Sequence, residues 1–341
     1  LNLLLNEQQD KAIDAFIEAV QHDPDTTDLH FALGNLFRRR GEYERAVRVH
    51  QHLVSRADLP RAERDRAQHA LAQDFMKAGL FDRAEDAYKE LDGTAFDTEA
   101  RLALLTLHER SRDWRAAVSV AQKLEDSGTA SFASRIAHYW CEIALEADAH
   151  QQDGQADEAL RQAREAAPNA ARPRVLAGQR AQRRGDHAQA LKVWGELMAA
   201  HPTAFTLVAR DYAASALACG EQAAALERLH ALYRRTPTMD LLAGIAMLDP
   251  APAAQRRRLL THLQEQPNLS AAQELLRQTA ANGTPLDTAE TQSLSAAVAR
   301  AAKPLQRYRC AACGFEAQHY FWQCPGCLSW DSYPPQRLED L

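Results

Sequence analysis

The sequence predicts an all-α protein, a superhelical solenoid of helical hairpins, closed at its C-terminus by a small metal-bound β domain. Two observations carry that prediction. Small and apolar residues recur along most of the chain with a period near 34 residues. Beyond them, four cysteines fall within eighteen residues as two Cys-x-x-Cys pairs, Cys310 with Cys313 and Cys324 with Cys327. Composition agrees, because an alanine-rich chain that is 25% charged and only 7% aromatic suits stacked helices better than a β-rich core. Its 341 residues are enough for a long array. The expected division is an array over 1–302 and a cysteine domain with its tail over 303–341.

The chain starts at Leu1, not at methionine, and part-way through the pattern, with Leu1 to Leu5 in place of a full leading helix. This reads as a truncated first repeat from which an anchor has been removed. Ala12, Phe16, Ala19 and Pro24 then run down one helix and stop it. The next unit has Leu33-Gly34, Phe37, Gly41, Ala46 and Leu53, and Ala12 and Ala46 stand 34 residues apart, the tetratricopeptide spacing. Copies follow at Leu71-Ala72, Phe75, Gly79, Ala84, Tyr88 and at Leu104-Leu105, Ala117, Ala121, the latter without the glycine. A looser copy has Ala147, Gly154, Ala159 and Ala163. Ala177-Gly178, Gly185, Ala190, Trp194, Pro202 and Tyr212-Ala213, Gly220, Ala225, Leu229, Pro237 complete the clear set.

Each recurring position has a physical reason. Gly34, Ala72, Gly178 and Ala213 on first helices, and Ala46, Ala84, Ala190 and Ala225 on second helices, stand where two helices cross closely. Gly41, Gly79, Gly185 and Gly220 are expected to end the first helices in the left-handed conformation. Pro24, Pro202 and Pro237 stop the second helices. One hairpin cannot bury its apolar face alone, so stacking supplies the core. The array has irregularities, with 38 residues from Ala46 to Ala84 and 42 from Ala117 to Ala159, where a long helix is expected around Ile136 to Leu145. After Pro237 the pattern degenerates: Asp249-Pro250-Ala251-Pro252 breaks it and Pro267 ends a helix. A last pair, about Ser270 to Ala281 and Asp287 to Ala302, leads to Lys303-Pro304.

Repeat phase turns Phe31, Asn35 and Arg38 toward the concave groove of the array, where such proteins bind peptides. The same phase selects His69, Gln73 and Met76 in the next unit, and Val175, Gln179 and Gln182 further on. Asn35 and Arg38 are the expected holders of an acidic or backbone ligand.

A Cys-x-x-Cys turn is a bidentate claw, and two of them match tetrahedral Zn²⁺ or iron. Cys310, Cys313, Cys324 and Cys327 are therefore expected to ligate one Fe or Zn ion. Gly314 suits a position of positive φ and Pro325 stiffens the second claw. A domain this short needs the metal's free energy to fold. Seven of the chain's twenty-three aromatic residues lie between Tyr308 and Tyr333. That is more than a small ribbon needs, so some should pack on the array. His319, between the claws, reads as exposed, and Cys141 and Cys219 as buried small hydrophobes.

The formal net charge of −6 excludes nucleic-acid binding by bulk electrostatics. Within 303–341 the charges of Lys303, Arg307, Arg309 and Arg337 cancel those of Glu316, Asp331, Glu339 and Asp340. No phosphate loop, nucleophile elbow or His-Glu-x-x-His motif occurs. A closed four-sulfur site leaves no coordination position open, so an enzyme is not expected.

The segments Leu4 to Phe16, Leu33 to Gln51, Ala78 to Asp86 and Ile136 to Leu145, with Arg307 to Phe315, Tyr320 to Trp330 and the closing Leu338 to Leu341, resemble the lipopolysaccharide assembly protein B family. The resemblance covers essentially the whole chain. It implies a tetratricopeptide-repeat superhelical solenoid with a rubredoxin-like, zinc-ribbon β domain. It implies a non-enzymatic regulator at the cytoplasmic side of the bacterial inner membrane, held by one N-terminal transmembrane helix. It further implies promotion of FtsH-dependent proteolysis of the LpxC deacetylase and contact with other lipopolysaccharide synthesis and transport proteins. Iron is the family's usual metal, and zinc suits four thiolates equally. Leu328 stands where a second knuckle usually has glycine, and the claws lie closer in sequence than in a rubredoxin. Both departures tell against electron transfer, although an iron-based redox module on a repeat scaffold is the alternative function. A homodimer is admitted by the sequence but not specified.

Overall fold

The computed structural model describes residues 26–128, 130–265, 269–281 and 301–340, together with residues 18 and 299. The expected first repeat (Ala12, Phe16, Ala19, Pro24), the helix from Asp287 and Pro267 lie outside the described residues, apart from the end of that helix at 299 and 301–302. The chain divides into two compact units, Leu1–Ile136 and Ala137–Leu341.

In the first unit, α1 (Thr27–Arg40) and α2 (Tyr43–Ser55), α3 (Arg61–Ala78) and α4 (Phe81–Lys89), and α5 (Asp97–Ser111) and α6 (Trp114–Asp126) form three antiparallel hairpins. Gly41 shows why the turn needs glycine. Its φ is +81°, and its amide and that of Glu42 bond back to the carbonyls of Arg38 and Phe37. Gly79 repeats this arrangement. Where the third copy lacks glycine, Arg112 takes the left-handed position itself, at φ 59°. The first two hairpins share a second device. Arg45 lies over the Phe37 ring at 4.0 Å and Arg83 over Phe75 at 4.2 Å, each guanidinium covering a ring in the last turn of the preceding helix.

Helix α7 spans Ala133–Ala149. The second unit continues with α8 (Asp153–Ala166), α9 (Arg172–Arg183), α10 (His187–Ala200), a short α11 (Pro202–Phe205), α12 (Ala209–Cys219), α13 (Gln222–Arg235), α14 (Met239–Leu248), α15 (Pro252–Glu265) and α16 (Leu269–Ala281). Gly154 is not a turn residue but lies within α8, and Gln151 supplies the left-handed step at φ 58°. The Asp249 to Ala251 stretch is the hairpin turn between α14 and α15, and Pro252 opens α15. Cys141 is buried as expected, whereas Cys219 is exposed. It is the last residue of α12, on the turn that faces solvent just before Gly220.

The core of this unit is built on Trp194, Phe205, Tyr212, Leu229, Leu241 and Ile245. Trp194 lies against Gly178: a β-carbon added there would fall on the indole. The indole is fully buried and has nowhere to move. Gly178→Ala is therefore expected to cost about 1–3 kcal/mol, read as a lowered melting temperature with unchanged far-ultraviolet helicity in the native baseline.

The C-terminal segment folds as β1 (Tyr308–Arg309) paired antiparallel to β2 (Glu316–Ala317), with Tyr308 opposite Ala317, and an isolated bridge between Gln323 and Trp330. The chain is thus a helical repeat array with a small C-terminal β region that carries the four cysteines. A tail then straps onto the array. Thr206 Oγ1 lies 3.3 Å from the Pro335 carbonyl, Arg337 reaches Asp240 at 3.5 Å, and Ser270 Oγ donates to Glu339 at 2.6 Å. Among the described residues no helix is long and apolar enough to cross a membrane.

Candidate metal centre

Two backbone knuckles with the same hydrogen-bond plan present the sulfurs. In the first, the Cys310 amide donates to the Phe315 carbonyl at 3.0 Å, and the Gly314 amide returns to the Cys310 carbonyl at 2.8 Å. In the second, Cys324 and Ser329 pair at 2.9 Å, and Leu328 and Cys324 at 2.8 Å. The residue four after the first cysteine must take positive φ in both: Gly314 at +76° and Leu328 at 60°. An L-residue pays roughly 1–2 kcal/mol there. Leu328→Gly is expected to stabilise the cap by about 1 kcal/mol, less the side-chain burial that leucine gives up. The check is a chelator competition in which the variant retains its metal longer than the parent.

The four sulfurs lie within 4.8 Å of one another, with Cys310–Cys327 at 3.8 Å and Cys313–Cys324 at 3.6 Å. A tetrahedral ion with metal–sulfur bonds near 2.3 Å requires sulfur–sulfur edges of about 3.8 Å, so the donor set fits such an ion. Cys310 and Cys324 are buried, and Cys313 and Cys327 form the solvent edge. Outer groups hold the sulfurs. Ser332 Oγ lies 3.2 Å from Cys310 Sγ, Ser329 Oγ lies 3.4 Å from Cys327 Sγ, and the Gly326 amide donates to Cys324 Sγ at 3.4 Å. Burial alone would raise the Cys310 thiol, but bonds from Ser332 and from the Cys313 and Ala312 amides bring it down to about 6. At Cys313 the Phe315 amide favours thiolate, but Cys327, burial, and the sulfurs of Cys324 and Cys310 outweigh it and push the thiol up to about 12. Four adjacent sulfurs resist full ionisation until a cation joins them.

The metal cap is seated on the array by aromatic side chains. Trp330 stacks on His138 with centroids 4.3 Å apart and meets the edge of Tyr139 at 5.6 Å. His138 Nε2 donates to Asp331 at 2.7 Å. Arg172, paired with Glu142 at 2.5 Å, lies within 6 Å of both the Trp322 and Trp330 rings. Trp322 packs against the main core of the unit. His319 is exposed and takes no part.

The rubredoxin metal binding domain family matches residues 308–334. Lipopolysaccharide assembly protein B of Escherichia coli K12 is 31% identical over 344 residues, 99% of this chain and 88% of that protein. The chain belongs to the lipopolysaccharide assembly protein B family. The family's protein from Haemophilus influenzae is 26% identical, over 98% of this chain and 88% of its own. Among solved structures, a Naa15/Naa10 complex bound to HypK-THB aligns with TM-score 0.46 and 15% identity over 89% of this chain and 50% of that one. A tetratricopeptide repeat protein from Parabacteroides merdae aligns with TM-score 0.30 and 14% identity over 82% of this chain and 94% of its own. In this member of the family the four cysteines make a metal-binding site of rubredoxin type.

The residues expected to face the groove have varied placements. Phe31 is 2% exposed and packs among Leu53, Leu59 and Ala67, so it belongs to the core. Arg38 is committed within the array: it donates to the Ala70 carbonyl at 2.9 Å, to buried Asp74 at 2.8 Å and to Asn35. Asp74 in turn bonds the buried His50 ring at 2.5 Å. Gln182 bridges to the Asp211 carbonyl and Ser215 of the next unit. His69 is half-buried, stacked on Phe96 at 4.8 Å, with Gln73 3.4 Å from its ring nitrogen. Gln179 is half-buried. The two serine hydroxyls at the sulfurs and His138 beneath the cap carry no sequence signal of their own. The excess of aromatic residues around the cysteines was the only pointer to the contact.

Proposed function

We propose that this protein is a non-enzymatic adaptor in lipopolysaccharide assembly, which gathers other proteins on its helical array while the metal-bound cap secures the array's C-terminal end. The 31% identity sustained over 99% of the chain supports this reading most directly. The closed donor set supports it too, since four sulfurs around a tetrahedral ion leave no position for a substrate. In finer terms, the adaptor works at the cytoplasmic side of the inner membrane through an N-terminal anchor and promotes FtsH-dependent degradation of LpxC. Cys310, Cys313, Cys324 and Cys327 hold one iron or zinc ion, and 303–341 acts as the metal-bound module on the 1–302 array. Among the groove positions, Asn35, Arg38, His69, Gln73 and Gln179 have partly exposed side chains, and of these Arg38, with Asn35 bonded to it, is already committed within the array.

The test is the half-life of the deacetylase after a translation block, in cells whose own family member has been replaced by this chain on a membrane anchor. Shortened deacetylase lifetime is the expected result, and an unchanged lifetime at native expression overturns the proposal. Exposure of Cys313 and Cys327 at the solvent edge favours a second reading, an iron-based redox module. Metal analysis with an absorbance spectrum separates the two: colourless protein with stoichiometric zinc, isolated from cells grown with ample iron, removes the redox reading.

A further inference from the structure

A cavity of about 550 Å³ opens in the C-terminal repeats, inside the second unit. That is within the range of ligand sites, roughly 300–1,000 Å³. Its walls come from three successive first helices, the face that the repeat pattern assigns to the groove. Helix α12 contributes Arg210. Successive turns of α14 contribute Met239, Leu242 with Ala243, and Ala246 with Met247. Helix α16 contributes Ser270, Gln273 with Glu274, and Arg277 with Gln278. Arg258 and Leu259 of α15 form the back, and Gln306 and Arg337, flanking the cap, close one end.

The lining has a definite chemistry. Four guanidinium groups face two carboxylates, those of Asp240 and Glu274, so the site is net positive. Three of the four are already engaged: Arg258 with Asp249 at 2.6 Å, Arg277 with Glu274 at 2.6 Å, and Arg337 with Asp240 at 3.5 Å. Arg210 is exposed, and neither its side chain nor that of Gln273 makes a hydrogen bond among the described residues, although the Arg210 charge acts on the carboxylates of Glu274 and Asp211. Gln255, Gln278 and Gln306 already donate within the lining, to the Ala246 carbonyl, to Gln255 with Glu274, and to Ser270, whereas Gln273 brings a carboxamide whose donor and acceptor are both uncommitted among the described residues. That pairing suits the alternating N–H and C=O groups of an extended peptide. A phosphate headgroup, which presents acceptors, leaves the Gln273 carboxamide oxygen unmatched, whereas the Gln255 oxygen is already taken by Gln278. The methionine and leucine wall of α14 offers apolar contact to a side chain, and methionine adapts to different shapes.

We propose that this cavity receives an extended acidic segment of a partner protein, with an aliphatic side chain against Met239 and Met247 and a carboxylate at Arg210. The assignment rests on the adaptor reading and gives it a location and a ligand class. Among the described residues, the first-helix face thus carries a cavity in the degenerate C-terminal units, whereas Arg38 and Gln182 bind helix to helix in the regular ones.

The test uses the metal-loaded chain and a fluorescein-labelled nonapeptide alternating glutamate and leucine, followed by anisotropy. Comparison peptides carry glutamine or lysine in place of glutamate, and phosphatidylglycerol vesicles form a separate arm. The glutamate peptide is expected to bind at least tenfold tighter than the others, more weakly at high salt, and at least tenfold more weakly to Arg210→Glu and Met247→Glu. Both substitutions are at exposed positions, and unchanged thermal melting shows that the variants are folded. Equal affinity for all three peptides, or undiminished binding by folded Arg210→Glu, overturns the assignment. So does saturable vesicle binding that the glutamate peptide does not displace and Arg210→Glu abolishes, which gives the site to a headgroup. Co-purification of LpxC with the anchored chain is read in parallel. If it persists while the peptide fails to bind, the cavity assignment falls alone; if it is absent while the peptide binds, the adaptor reading falls.

Discussion

Replacing Cys310 and Cys313 by serine is expected to remove the metal and unfold the cap. The cap has two strands of two residues each and a buried cluster of only Tyr308, Cys310, Cys324 and Tyr333. Burial on that scale does not offset the ordering of some thirty residues at about 1.5 kcal/mol each. Structural zinc contributes about 10–16 kcal/mol in comparable small sites, so most of the cap's stability resides in the sulfur–metal bonds. The damage extends beyond the cap. Without a folded ribbon, Trp330 leaves His138, and the tail leaves Asp240 and Ser270. The double variant should contain no stoichiometric metal, lose the Trp322 and Trp330 share of its near-ultraviolet dichroism while the buried Trp114 and Trp194 keep theirs, and become sensitive to proteases across 303–341. Most of its far-ultraviolet helicity should remain, because the hairpins of Leu1–Ile136 have their own cores. Metal-free protein with undiminished near-ultraviolet signal and protease resistance would falsify the view that the metal organises this end of the molecule.

The repeat array was legible because a period of about 34 residues constrains many positions at once, and small residues recurring at that spacing mark close helix crossings. The sulfur site was legible for a similar reason, since paired spacing implies convergent geometry. Other features are products of tertiary context. Arg112 and Gln151 adopt left-handed backbone with no glycine to mark the turn, whereas the knuckle spacing did point to Leu328. Repeat phase identified the helix face that carries Phe31 and Arg38 but not how closely the next hairpin covers it. Phe31 therefore joined the core, and Arg38 met the buried Asp74 that lies 36 residues away. The contact from His138 to Asp331 spans 193 residues and has no local pattern.

That contact underlies the second large effect. Trp330→Ala is expected to loosen the cap by about 3 kcal/mol, near the lower end for tryptophan truncation because the ring is only half-buried. The loss combines the stacking on His138, the edge contact with Tyr139 and the cover over Arg172. Hydrogen exchange across 308–334 measures it, with metal content as the control that separates undocking from unfolding. Exchange as slow as in the parent would show that Trp330 does not hold the cap. The same contact makes docking sensitive to acid. Burial lowers the His138 pKa, and the hydrogen bond and charge of Asp331 only partly oppose it; Arg172 also lowers it, and Glu142 raises it. The unfolded chain takes up a proton near pH 6.5, while the folded site resists one. The folded state therefore binds fewer protons, and stability from this group is present above about pH 6.5 and lost as the pH falls below it. His69, His108 and His262 are shifted in the same direction, by burial first, and steepen the acid limb. His138→Gln retains a donor for Asp331 but does not titrate. It should flatten the pH dependence of cap exchange between about pH 6.5 and 5 while leaving the other histidines' share of global acid sensitivity in place. An identical pH profile for parent and variant at the cap amides would assign the acid sensitivity elsewhere.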